Sequence, residues 1–282
     1  MPADDSKNVK IPLKGVQETL LLPLWARARE NEKPKPYLLD LKSSEIMHRL
    51  DYDFGRLEKA LTQGAFGKDH TAIFLIRNKY FDDAIKKFLV GHPGATVVNI
   101  GAGLDTTFHR VDNGSLRWYD LDFPDVIDLR RKILPETNRS KCIAKSVLDF
   151  SWFDDIGPVQ DGLFLLAGGS LFYLKEQDVK RLFSALAARY SGAELIFDSI
   201  NLMGKWGTNR ANKGAGMVDA PAKWAIRGAK QIARWGNHIE VVAEWPFFSR
   251  AVRDPSWKKR TIMLMNMSDW LKIASIIHLR FE

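Results

Sequence analysis

Short runs of aliphatic and β-branched residues recur through the middle of the chain, and between most of them the apolar positions fall at helical spacing. Runs at 96–100, 116–121, 141–145, 162–167 and 194–199 predict strands. Segments 124–134 and 176–190 predict helices, with a turn around 151–155. Such alternation implies parallel strands joined by right-handed crossovers. Two later runs, 239–245 and 273–281, are expected to supply the last strands, joined as a hairpin.

The first eighty-odd residues read as helical. Segment 19–30 is apolar on one side and basic at its end, and Pro23 should start or kink a helix there. Lys33-Pro-Lys-Pro36 is a break. Segment 43–50 predicts a second helix capped by Ser43 or Ser44, and 70–89 a third, ending at Gly91-His-Pro-Gly94.

The strand at 96–100 stops at Gly101-Ala-Gly103, and a helix-like segment follows at once. Glycines there let the backbone approach a ligand closely. The next strand ends in Asp120-Leu-Asp122, nineteen and twenty-one residues after Gly101, where an acid can accept hydrogen bonds from ribose hydroxyls. Dinucleotides and S-adenosylmethionine (SAM) both use this pattern. A dinucleotide site wants a third small residue, but that position is Thr106, preceded by Asp105. A carboxylate beside the ligand repels a pyrophosphate and tolerates a zwitterionic amino acid with a sulfonium. The spacing therefore favours SAM. Asp105 can equally be read as a cap for the following helix.

Composition narrows the setting. The chain has 282 residues, 45% hydrophobic and 27% charged, enough for one large α/β domain. No apolar run is long enough to span a bilayer, and the polar N-terminus lacks a signal peptide's apolar core. The single cysteine, Cys142, excludes an internal disulfide and reads as an inert thiol on a strand. A cytoplasmic location is the expectation. Net charge is +8. Between 201 and 236, Lys205, Arg210, Lys213, Lys223, Arg227, Lys230 and Arg234 face a single acid, Asp219, with Trp206, Trp224 and Trp235 among them. Gly204, Gly207, Gly214, Gly216 and Gly228 make a mobile lid the simpler reading than a nucleic-acid surface.

Three blocks carry a resemblance: Ile-Arg-Asn-Lys-Tyr-Phe-Asp-Asp at 76–83, Asn-Ile-Gly-Ala-Gly-Leu-Asp-Thr-Thr-Phe-His-Arg at 99–110, and Asp-Leu-Asp-Phe-Pro-Asp-Val at 120–126. They resemble the leucine carboxyl methyltransferase family, in particular its bacterial and archaeal branch of polyketide-type O-methyltransferases, the tetracenomycin group. Segments 19–28, 51–54, 244–250 and 278–281 fit that branch too. The resemblance implies a class I SAM-dependent methyltransferase (Rossmann-like) fold. It would be an α/β domain over 1–282, with a seven-stranded, mostly parallel sheet. N-terminal helices would occupy 1–92, the core 95–200 and 237–282, and a helical cap 201–236.

By the same resemblance, Arg77 would bind the SAM carboxylate, and Gly101 and Gly103 would lie under its methionine part. Asp122 would hold the ribose, with Asp120 the less favoured of the two acids. Asp149 and Phe150 would lie along the adenine. Relatives often carry an acid where this chain has Gly168. The implied activity is methyl transfer to a hydroxyl or carboxyl oxygen of a small, polyketide-like molecule. That chemistry needs no metal, and neither nucleic acid nor membrane is expected as a partner. Tyr173, just after the fourth predicted strand, is a weak candidate for contact with the acceptor, and His109 is expected to point away. The competing readings are an NAD-dependent oxidoreductase and a non-catalytic SAM-binding or RNA-binding protein.

Overall fold

A computed structural model describes residues 9–10, 20–55, 69, 71–214, 221–236 and 238–282. Helix α1 spans Leu21–Glu30, with Pro23 in its first turn, where a missing N–H leaves no bond unmade. Helix α2 spans Leu41–Arg49 and starts earlier than predicted. Its cap is Asp40, whose carboxylate accepts from the Ser43 amide at 3.1 Å. Ser43 returns a hydroxyl bond to the Asp40 carbonyl at 2.7 Å, so the serine is a partner of the cap rather than the cap itself. Helix α3, Thr71–Gly91, matches the predicted third helix; Thr19 and His70, expected at helix starts, lie outside the described residues.

Among the described residues the main sheet has seven strands: β1 Thr96–Ile100, β2 Arg117–Asp122, β3 Ser140–Ala144, β4 Leu163–Ala167, β5 Glu194–Ile200, β6 Ile239–Pro246 and β7 Ala274–Phe281. Their order is β3-β2-β1-β4-β5-β7-β6. The first five are parallel to one another; β7 runs antiparallel to both β5 and β6. Every residue of β1 and β4 is buried, as expected for parallel strands covered on both faces. The order reverses between β1 and β4, and such a switch opens a crevice beyond the carboxyl ends of the strands. Cys142 sits on the edge strand β3, half-buried, and burial pushes its thiol up to about 11.

Two hydrophobic layers clamp this sheet. Helix α3 supplies Ile76, Phe81 and Ile85 to the layer against Val97, Phe164 and Ile196. On the opposite face, Phe183 and Leu186 pack with Leu165, Phe197, Leu279 and Phe281. Trp224, Ile226 and Ile232 belong to this second layer, and Trp224 is only 3% exposed. The Lys223 and Trp224 amides both donate to the Phe172 carbonyl, at 2.7 and 3.0 Å. Five apolar residues of 221–236 (Ala222, Trp224, Ile226, Ala229 and Ile232) are therefore packed into the core. The glycines of the predicted lid suggest mobility, but these apolar residues reach the sheet. The first part of that lid is a helix, Leu202–Gly214, with Leu202 and Trp206 each 67% exposed. The stretch between, with Gly216 and Asp219, lies outside the described residues.

Candidate functional site

The loop after β1 is built by its glycines. Gly101 has φ +69° and Gly103 φ +48°, both in the left-handed region. A Cβ on Gly101 would lie 2.7 Å from the Ser170 Cβ, and one on Gly103 would lie 3.0 Å from Leu20. Asp122, at the end of β2, holds this loop. One carboxylate oxygen accepts from the Gly103 amide at 2.8 Å and the other from the Phe123 amide at 2.7 Å. Each oxygen keeps a second lone pair for other donors. Burial pushes the Asp122 carboxyl above its ordinary value despite these two amides.

Arg77 reaches the same crevice from α3 and lies across the turn after β4. A Cβ at Gly168 would sit 3.4 Å from its Nε, and one at Gly169 only 2.6 Å from a terminal guanidinium nitrogen. That nitrogen pairs with Asp198 of β5 at 3.2 Å, while the Arg77 Nε is buried without a hydrogen-bond partner among the described residues. A buried donor left unmatched beside a glycine cradle fits an anionic group such as a carboxylate. Two features predicted from distant parts of the sequence, Arg77 and the glycine loop, thus lie at neighbouring strand ends.

The other predicted residues fall differently. Asp120 is 1% exposed and turned inward. It accepts from Trp118 at 2.9 Å, Asn99 at 3.1 Å and Arg130 at 2.6 Å. It braces the crevice from behind, and Arg130 also donates to the Gly103 carbonyl at 2.9 Å. Asp149 is exposed, and its own turn engages it: the Ser151 amide donates to it at 3.2 Å. Phe150 is partly buried, stacked on Phe153. Tyr173 ends the 3₁₀ turn Leu171–Tyr173, and Asn212 of the helix Leu202–Gly214 donates to its hydroxyl at 3.5 Å. His109 is exposed and lines a separate cavity of about 600 Å³ with Tyr37, Lys42 and Lys86, outside the crevice.

Sequence reasoning missed the charges that brace the loop. Arg27 of α1 donates to Asp40 at 2.8 Å and to the Leu104 carbonyl at 3.0 Å. Arg110, at the end of the helix Thr107–Val111, grips Asp82 of α3 at 2.8 and 3.0 Å and Asp40 at 2.9 Å. Asp105 accepts from the Thr107 amide at 3.1 Å, one residue before the helix N-cap Thr106, whose own side chain makes no capping bond. Burial would raise the Asp105 carboxyl, but Arg27 and Arg110 outweigh it and hold it at about 2. The sequence shows Arg27, Asp82 and Arg110 as polar positions in helical segments, but not their pairing across tens of residues.

Sheet order, antiparallel final strand and glycine loop beside a strand-end acid are those of a class I SAM-dependent methyltransferase. Comparison with known proteins agrees. A sequence model of the leucine carboxyl methyltransferase family matches residues 21–187. The tetracenomycin polyketide synthesis O-methyltransferase TcmP of Streptomyces glaucescens is 35% identical over 191 residues, 67% of this chain and 68% of that protein. The S-adenosyl-L-methionine-dependent methyltransferase dpfgK of Gibberella zeae is 31% identical over 206 residues, with the same coverage. The fold is shared with a DUF574 family protein of Streptomyces avermitilis MA-4680, at TM-score 0.59 and 12% identity, covering 94% of this chain and 97% of that one. A candidate methyltransferase from Thermobifida fusca YX shares it at TM-score 0.58 and 15% identity, covering 91% and 94%. The chain belongs to the leucine carboxyl methyltransferase family and is a SAM-dependent methyltransferase.

Proposed function

We propose that the protein methylates a hydroxyl or carboxyl oxygen of a small, polyketide-like molecule. The observation that carries the SAM half of this reading is the unmatched Arg77 Nε beside the Gly101, Gly103 and Gly169 turns, with Asp122 across the loop. In it, Arg77 takes the amino-acid carboxylate, the glycine loop runs under the methionine part, and the free lone pairs of Asp122 accept the ribose hydroxyls. Asp149 and Phe150 flank the adenine. When bound, SAM would supply an electrophilic methyl to an acceptor oxygen and would leave as S-adenosylhomocysteine with the sulfur–methyl electron pair, while a hydroxyl acceptor would pass its proton to water.

The residues of this chain bind and align; in-line displacement gains most from orientation and from keeping water out. In this reading the acceptor lies beside Tyr173, whose hydroxyl accepts from Asn212 and would orient an acceptor oxygen. The oxygen acceptor and its polyketide-like character are supported by the TcmP relative.

The test is turnover with methyl-labelled SAM against small-molecule extracts, with the products treated with alkali. Label released by alkali marks methyl esters, and stable label marks methyl ethers. Label on nitrogen or carbon, or none on any small molecule, would overturn the proposal. Arg77→Ala should weaken SAM by about 2–4 kcal/mol while leaving the fold intact, the cost of losing a charge-assisted contact.

A further inference from the structure

Asp198 has no part in the reading above, yet one carboxylate there fixes both halves of the amino-acid end of the crevice. One of its oxygens accepts from the Gly169 amide at 2.6 Å. The other lies 3.2 Å from the Arg77 guanidinium. Asp198 is 7% exposed and the Arg77 side chain 12%, so water screens their attraction little. Gly169 has φ +69°, and any side chain there would collide with Arg77. The turn after β4 and the arginine above it are thus fitted to each other, and Asp198 joins them.

The fit has a chemical consequence. A guanidinium has five N–H donors in a rigid fork, and one fork position is committed to Asp198. That bond settles the plane of the group and leaves the unmatched Nε directed elsewhere. An unrestrained arginine would have to lose rotamer freedom each time it gripped a ligand. The Arg77–Asp198 pair is also neutral as a unit, and a neutral ion pair complements a zwitterion better than a lone cation does.

We propose that Asp198 is the positioning residue for the amino-acid end of SAM, acting through Arg77. The proposal rests on Arg77 as the carboxylate ligand. Asp198 sets the guanidinium in place before SAM arrives, and it keeps the site selective for ligands that carry an α-amino acid.

Two ligands separate this role from a structural one. S-adenosylhomocysteine carries the amino acid; 5′-methylthioadenosine has the same nucleoside and sulfur without it. Both affinities are measured by calorimetry on the full chain and its variants. Asp198→Asn keeps an oxygen for the Gly169 amide but loses the charge on Arg77. It is expected to weaken S-adenosylhomocysteine by about ten- to a hundredfold, the range for a hydrogen bond to a charged group. Methylthioadenosine should stay within about twofold, and the Arg77→Ala/Asp198→Asn double variant should be no weaker than Arg77→Ala alone, as coupled residues behave. Asp198→Ser removes the charge with less bulk and serves where the amide variant does not fold.

Equal losses for both ligands, or additive losses in the double variant, would overturn the proposal and leave Asp198 a structural acid. So would an unchanged S-adenosylhomocysteine affinity in Asp198→Asn while Arg77→Ala loses it; the Arg77 reading would then stand alone. If Arg77→Ala itself spares the preference for S-adenosylhomocysteine over methylthioadenosine, the Arg77 reading fails, and this proposal with it.

Discussion

Asp122 closes the glycine loop on itself: its carboxylate, at the end of one strand, accepts the amide of Gly103, which follows the neighbouring strand, at 2.8 Å. The acid proposed to hold the ribose is therefore also a clamp on the loop beneath the ligand. Asp120, two residues earlier, makes no such bridge and satisfies Arg130, Trp118 and Asn99 behind the loop.

The two acids should fail in different ways. Asp122→Ala is expected to weaken SAM more than Asp120→Ala does per folded molecule. Asp120→Ala leaves the Arg130 guanidinium buried without its ion pair and should cost about 3–5 kcal/mol of stability. Calorimetric titration together with urea unfolding checks both, and a reversed order of SAM affinities would put the ribose at Asp120.

Acid should remove SAM before it unfolds the protein. Burial raises the folded pKa of Asp122, so it takes up its proton above the ordinary aspartate value of about 3.9. A raised carboxyl pKa favours the folded state as pH falls, so that protonation by itself costs no stability. Asp105 has the opposite sign. Held at about 2, its contribution is complete above the ordinary aspartate value and is lost only as pH falls toward 2. Affinity for SAM followed against pH should break above 3.9 while circular dichroism is still native, and Asp122→Asn should remove the break.

Gly169→Ala tests the cradle. Its φ of +69° costs a side chain about 1–2 kcal/mol, and its Cβ would also displace Arg77. Gly192→Ala is the control, because its φ is +83° and no described residue lies within 4 Å of the added atom. Both variants should lose stability, and only Gly169→Ala should lose SAM affinity.

Arg110→Met should cost about 3–5 kcal/mol in urea unfolding, since Asp82 and Asp40 would each lose a buried partner. The exposed Arg29–Glu32 pair makes the comparison, and Arg29→Ala should fall within about 1 kcal/mol of the parent.

The sheet was legible because its strands are short apolar runs cut off by glycine or an acid. Each predicted strand lies within about two residues of its observed bounds, the accuracy that element boundaries allow. Helix α2 starts before Ser43 because its cap is Asp40, which sits within the apolar run Leu38-Leu-Asp-Leu and carries no clear cap signal there. Within 201–236, glycine content and apolar residues point in different directions. Glycine count reported backbone freedom, whereas Trp224, Ile226 and Ile232 reported burial, and burial decided. An acid inside Leu195-Ile-Phe-Asp-Ser-Ile reads in sequence as one polar position of a strand, and nothing in the sequence pairs Asp198 with Gly169 or Arg77. The sign of its importance was its place, near the carboxyl end of a strand buried on both sides.

The half-buried thiol on the edge strand has a practical consequence. With its pKa near 11, Cys142 is thiolate in only about one molecule in ten thousand at neutral pH, and the thiolate is what alkylating reagents attack. A cysteine placed on an exposed turn of the helix Leu202–Gly214, for example at Met203, would react far faster than the native one. A fluorescent label could then be put on that helix of the natural chain, with its own cysteine left in place, to test whether the helix responds as ligands bind.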